Sequence, residues 1–184
     1  MLVAFPALAV LVVTLRALRY HAGVPQAQIG LSDPAATQRG LANPLRHIEN
    51  LRNWGLEVVV AINGRPEDTE EDRQVVVSGL AQANVPVFPI EVFRDGGAGA
   101  LELAEYVASK AGGPASLRPT YEIEDALEEK IEKVAQRIYR ARQVHYSKEA
   151  RRQLSAIAKL GEQNLRVCIA KTQSSFSTDP TMRG

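Results

Sequence analysis

The chain is 184 residues long, 45% hydrophobic and 23% charged, with a formal net charge of +1. That length supports one real core with at most a small appended subdomain, and the near-neutral charge gives no argument for nucleic acid or an acidic membrane as a partner. A single cysteine, Cys168, excludes an internal disulfide and a multi-cysteine metal site, and His21, His47 and His145 never fall at i, i+4 spacing, so no metal site is expected.

Residues Leu2 to Val13 are almost wholly apolar. The run is too short to span a bilayer, and it lacks the basic start of a signal peptide while Arg16 and Arg19 follow it closely, so a cytoplasmic protein is expected. Ala9 to Thr14 reads as a buried parallel strand, being continuously apolar rather than alternating. Helix-compatible Leu15 to Tyr20 follows, then a loop from Gly23 to Pro34. The spacing of Leu45, Ile48, Leu51 and Trp54 predicts a helix from about Ala35 or Asn43 to Trp54. Asn43-Pro44 has the form of a cap followed by a first-turn proline, and Gly55 ends the helix. Val58 to Ile62 is a second strand, turned away by Asn63-Gly64-Arg65-Pro66. A helix from about Glu67 to Ala83 opens with Glu67, Asp68, Glu70 and Glu71, which suit its positive end. Val85 to Glu91 is a third strand, and Asp95-Gly96-Gly97-Ala98-Gly99 leads into a helix from about Ala100 to Lys110. This alternation predicts an α/β fold, a mostly parallel sheet flanked by helices with right-handed crossovers.

After Gly112-Gly113-Pro114 the texture changes, which divides the chain into an α/β part over 1–113 and a helical part with a late strand over 114–184. Residues 124–142 are charged and helical, with Ile131, Val134, Ala135 and Ile138 on one stripe. Ser147 is the expected cap of a helix running to about Leu160. Leu165 to Ala170 is the expected late strand, and Cys168 within it reads as a buried structural thiol. The tail from Gln173 shows little periodicity.

Ligands of open α/β sheets sit outside the carboxyl ends of the strands, so the residues there are the site candidates. Asn63 and Asp68 offer an amide and a carboxylate able to read the edge of a heterocycle; the alternative is a turn with an acidic helix start, which residue types alone favour. Phe93 offers a stacking face, against the commoner alternative of a loop aromatic folded onto the core. Arg16, Arg19 and His21 follow the first strand and suit an oxyanion, against a solvated helix face. Lys171 and Thr172 offer a charge and a hydroxyl at the end of the last strand, against a snorkelling lysine. Gly96, Gly97 and Gly99 open a helix, which is a weak anion-binding signal. Arg137, Arg140, Arg142, Lys148, Arg151 and Arg152, interleaved with Glu128, Glu129, Glu132 and Glu149, form the pattern of a solvated helix face. No G-x-x-x-x-G-K-[ST] motif occurs.

Taken in order, the blocks Thr14–His21, Gly40–Asn50, Val58–Asn63 with Asp68-Thr69, Gly96–Glu105, Glu129–Glu132 and Asn164–Gln173 resemble the formate–tetrahydrofolate ligase family from about Pro6 to the end of the chain. The resemblance implies an ATP-dependent ligase of one-carbon metabolism with formate and tetrahydrofolate as the other substrates and Mg²⁺ accompanying ATP. It implies a P-loop NTPase-like core, a nucleotide- or folate-binding role for 1–113, and no tightly bound cofactor. It also implies an interior piece of a longer family chain, inactive by itself, with a non-catalytic nucleotide- or folate-binding module as the alternative; a homo-oligomer is compatible with either. Asn63, Arg65, Asp68 and Phe93 are then the expected ring-binding residues, and Arg16 and His21 the expected phosphate-proximal ones. The chain departs from the family pattern at Arg65, where a phenylalanine is usual, and at Phe93, where a tryptophan is usual. It also has Ala22 and Arg140 in place of glycines, Pro44 in place of a leucine, and Gly161-Glu162-Gln163 where the family has a second glycine.

Overall fold

The computed structural model describes residues 6–113, 116–161, 164–170, 176, 177 and 179. Three strands, β1 (Leu8–Val13), β2 (Glu57–Asn63) and β3 (Val87–Ile90), form a parallel sheet in that order. The register pairs Val10 with Val59 and Val12 with Ala61 across β1 and β2, and Asn63 with Ile90 across β2 and β3. Parallel strands need crossover connections, and the helices supply them. Between β1 and β2 run α1 (Leu15–His21), α2 (Pro34–Gly40) and α3 (Ala42–Asn53), and between β2 and β3 runs α4 (Glu70–Ala81). After β3 come one helical turn, α5 (Val92–Asp95), a 3₁₀ segment over Gly96–Ala100, and α6 (Leu101–Lys110). The three expected N-terminal strands and the α/β class are therefore observed, but β1 is not the buried strand expected: Val10 and Val12 on one face of it are exposed.

The core lies between the sheet and these helices. Val13, Val58, Val60 and Ile62 from the strands meet Leu15, Leu18, Ile48, Val76 and Leu80 from the helices and Leu41 between α2 and α3. β2 is buried from Val58 to Ile62, as a central strand read from continuous apolarity should be. Gly40 is where α2 crosses α1: a Cβ there would strike the backbone of Leu18, so only glycine lets the helices approach.

Caps decide where the helices begin. Asp33 caps α2 by accepting the Ala36 N–H at 2.8 Å, with Pro34 in the first turn. That signature was expected at Asn43-Pro44, but α3 starts from Leu41 with no side-chain cap bond. Thr69 caps α4 by accepting the Asp72 N–H at 3.2 Å. The helix thus starts three residues after the Glu67 expected to open it, and Arg65–Asp68 is left as a turn.

The chain divides into two compact units, residues 1–117 with 178–184, and residues 118–177. The second contains α7 (Leu127–Tyr139) and α8 (Lys148–Lys159), the latter capped by Ser147 as expected. Two expectations fail in it. Leu165–Ala170 forms no strand, because side chains take its backbone groups: Tyr121 Oη accepts the Val167 N–H at 2.9 Å, and Lys130 Nζ donates to the Leu165 carbonyl at 3.2 Å. Without a sheet face to cover it, Cys168 is exposed rather than buried. Arg140 ends α7 in the left-handed region, at φ +54°, whereas Ala22, the other residue expected to stand for a glycine, takes an ordinary right-handed conformation at φ −77°. Glu162 and Gln163 lie outside the described residues.

Candidate binding site

Parallel register brings the carboxyl ends of β1, β2 and β3 to one edge of the sheet. Asn63, half-buried, is the last residue of β2 and stands opposite Ile90. The Gly64 N–H donates to the Ile90 carbonyl at 2.9 Å, which keeps the exit of β2 against β3, and the Glu91 N–H donates to the Gly99 carbonyl at 2.9 Å, which folds the 3₁₀ segment back onto the exit of β3. Gly64 and Gly99 permit this: a Cβ on Gly64 would lie 2.5 Å from Glu91 Oε1, and one on Gly99 would lie 2.5 Å from the Glu91 carbonyl oxygen. Phe93 follows in α5 with 87% of its surface exposed. It does not fold back onto the core. Asn63 and Phe93 therefore share one end of two neighbouring strands.

The turn after Asn63 is closed by Asp68. Its Oδ2 accepts the Arg65 N–H at 2.9 Å, and its own N–H donates to the Arg65 carbonyl at 3.0 Å, which leaves the Arg65 side chain in solvent. Asp68 Oδ1 is buried and has no hydrogen-bond partner. Burial pushes the Asp68 carboxyl above its ordinary value, outweighing the Arg65 N–H and the Arg19 and Arg73 charges. Glu91 packs beside this turn and pairs with Arg73 of α4, Nη2 to Oε1 at 2.9 Å.

The residues after β1 divide. Arg16 reaches across to the turn, its Nη2 2.6 Å from Glu67 Oε1, with both side chains partly in solvent. The Glu67 backbone N–H, then the Arg16 and Arg65 charges, hold the Glu67 carboxyl below its ordinary value against the opposing effect of desolvation. His21 sits at the end of α1 with its ring edge-on to Tyr20, centroids 5.5 Å apart. Arg19, expected beside them as an oxyanion group, is wholly buried. Its Nη1 donates to the Ile29 carbonyl at 3.0 Å and its Nη2 lies 2.8 Å from Asp72 Oδ2. Asp72 also accepts hydroxyls from Ser32, Thr37 and Thr69, at 2.6 to 2.7 Å. Burial opposes its ionisation, but those hydroxyls and Arg19 together hold its carboxyl below the ordinary value.

Lys171 and Thr172 lie outside the described residues. A surface cavity of about 390 Å³ opens beside Pro89 and the Ala98–Leu103 segment, and none of Asn63, Arg65, Asp68 or Phe93 lines it. Among the described residues no group of three His, Cys, Asp or Glu side chains comes together as metal ligands, and no helix is long and apolar enough to cross a membrane. Glu91, Arg73 and Asp72 are neighbours of the site that residue types did not single out.

The family model for formate–tetrahydrofolate ligase matches residues 3–184. A formate–tetrahydrofolate ligase of Thermus thermophilus is 42% identical over 179 residues, covering 97% of this chain and 33% of the relative. Those of Renibacterium salmoninarum and Staphylococcus aureus are 41% and 40% identical over the same length, covering 97% of this chain and 32% of each relative. The chain spans about a third of the length of the curated relatives it matches.

Proposed function

The chain belongs to the formate–tetrahydrofolate ligase family, and on that premise we propose that it supplies the ring-binding part of an ATP-dependent ligase joining formate to tetrahydrofolate. One observation carries the reading. An exposed aromatic, Phe93, and a directional amide, Asn63, lie at the same carboxyl end of adjacent parallel strands, where α/β folds bind ligands. Phe93 stacks on one face of the flat ring, Arg65 can lay its guanidinium plane on the other, and Asn63 with Asp68 faces the ring's polar edge.

In such a reaction a phosphoryl group from ATP turns a formate oxygen into a leaving group, and the folate amine then displaces it. Arg16 and His21, at the end of β1, are our phosphate-proximal candidates; a fixed cation there lowers the cost of bringing anions together. The described residues offer no clustered ligands for the Mg²⁺ that accompanies ATP, so no role is assigned to them in holding it.

The 184 residues contain no G-x-x-x-x-G-K-[ST] loop to cradle the phosphates. By itself, then, this chain acts as a binding module rather than a complete ligase, and its natural setting is the cytoplasm. The test has two arms. Titration with tetrahydrofolate and with an adenine nucleotide should show saturable binding of at least one of them. A coupled assay with ATP, formate and tetrahydrofolate should show no formation of 10-formyltetrahydrofolate. Turnover on the order of 1 s⁻¹ or faster would refute the binding-module reading, and no binding of either ring by the folded chain would refute the ring site.

A further inference from the structure

Glu91 joins the end of β3 to the end of β2 through both its backbone and its side chain. Its N–H donates to the Gly99 carbonyl at 2.9 Å. Its own carbonyl accepts the Arg94 and Asp95 N–H groups at 3.1 and 2.9 Å, which closes the single turn of α5 that carries Phe93. An acid at the head of a helix ordinarily serves that helix's free N–H groups, yet the Glu91 carboxylate makes no cap bond. It lies over Gly64 instead, where a Cβ would come within 2.5 Å of Oε1 and 2.8 Å of Oε2. There Oε1 takes Arg73 Nη2 of α4 at 2.9 Å, with both side chains mostly out of solvent.

Gly64 stands between Asn63 and Arg65. Arg73 lies one turn into the helix that follows the Arg65–Asp68 turn, and its charge acts on Asp68. The pair therefore ties together α5 with Phe93, the exit of β2 with Asn63 and Arg65, and the head of α4 beside Asp68. A slot for a flat ring must hold its two faces about 7–8 Å apart, twice the contact distance between carbons. Phe93 is 87% exposed, so core packing does not fix its plane. We propose that the Glu91–Arg73 pair, seated on Gly64, is a positioning strut that fixes the plane of Phe93 relative to Asn63 and Arg65 and so sets the width of the ring slot.

The proposal rests on the ring-site reading and adds to it two residues that touch no ligand. Holding Phe93 in place before the ring arrives removes part of the ordering cost of binding. Only glycine at position 64 leaves room for the carboxylate that does so.

The experiment titrates the full chain calorimetrically with tetrahydrofolate and, separately, with ATP. Glu91→Ala should weaken binding of whichever probe the parent takes by about two- to tenfold, the worth of one stacking face. Phe93→Ala added to Glu91→Ala should then cost nothing more, because the plane it removes is already out of place. Glu91→Gln, whose amide oxygen still accepts from Arg73, should recover most of the loss, and Gly97→Ala in the same segment should leave affinity unchanged. In the ligand-free chain, amide relaxation should show more motion over residues 92–95 in Glu91→Ala than in the parent. Should Glu91→Ala not fold, Arg73→Met breaks the pair from the other side with the same expectations. Parent-like affinity or unchanged motion in these variants, or full and independent losses from Glu91→Ala and Phe93→Ala, would overturn the strut and leave the ring site standing. No binding of either probe by the folded parent would overturn the ring site and the strut with it.

Discussion

Arg19 and Asp72 meet 2.8 Å apart with neither side chain exposed to solvent. The pair joins α1 to the start of α4, and the Ser32, Thr37 and Thr69 hydroxyls close the remaining faces of the carboxylate. Removing one charge leaves the other buried and uncompensated. Arg19→Met or Asp72→Leu alone should therefore cost about 3–5 kcal/mol, whereas the double substitution should cost much less than the sum. Urea unfolding of the four proteins checks this; additive losses would show that the two groups act independently.

The two aspartates at the head of α4 should give opposite responses to pH. The folded Asp72 carboxyl titrates below its ordinary value of 3.8, so its contribution is full above that value and is lost as pH falls through the folded value. The folded Asp68 carboxyl titrates above 3.8, so folding bears a penalty at neutral pH that lifts as pH falls through the folded value. Asp68→Asn should then match or exceed the parent in stability at about pH 7 and lose that advantage toward about pH 4. Asp72→Asn should lose stability at about pH 7 and approach the parent in more acidic buffer. Unfolding free energies measured across that range decide the signs.

Much of this arrangement was legible in the residues. Continuous apolar runs identified β1, β2 and β3, and with them the end of the sheet that Asn63 and Phe93 share. The Arg19–Asp72 pair also left a signal that residue type hides. Asp72, Val76 and Leu80 lie at i, i+4 and i+8 and are all buried on α4, while Leu15, Leu18 and Arg19 share the buried side of α1. Charges on an apolar stripe point to an interior pair. The failure at Leu165–Ala170 has another cause. A strand needs a neighbour to satisfy its backbone, and local sequence did not reveal that Tyr121 and Lys130 take those groups.

Arg140 adopts φ +54° at the end of α7. A side chain in the left-handed region costs roughly 1–2 kcal/mol that glycine avoids. Arg140→Gly should stabilise the 118–177 unit by about 1 kcal/mol, seen as slower amide exchange in the last turn of α7. Faster exchange there would mean that the arginine side chain contributes more than its backbone costs.

Gly99 and Gly97 are neighbours with opposite expectations. A Cβ on Gly99 would press on the Glu91 carbonyl, while one on Gly97 meets nothing within 4 Å. Gly99→Ala should destabilise by about 1–3 kcal/mol and disturb Phe93, because the Glu91 N–H is anchored on the Gly99 carbonyl. Gly97→Ala should be close to neutral. Thermal unfolding of both, with the amide signals of residues 91–95 as the local readout, separates the two cases.

Phe93 gives the most direct test of the proposed ring site. It is 87% exposed, so shortening it leaves no core cavity, and a change in binding cannot be assigned to misfolding. Loss of one stacking face costs about 0.5–1.5 kcal/mol beyond the buried area, so Phe93→Ala should weaken folate or adenine binding severalfold. Phe93→Trp enlarges the face, so it should bind more tightly than the parent. Arg65→Phe puts an aromatic face at the other proposed position; if the two planes hold one ring, combining it with Phe93→Trp should give more than the sum of the separate gains, because each face limits the ring's escape from the other. Calorimetric titration of the parent, the single variants and the double variant measures that coupling. Strictly additive gains would place the two residues on separate rings or separate sites. No change on Phe93→Ala would remove Phe93 from the site and leave Asn63 and Asp68 as parts of a turn alone.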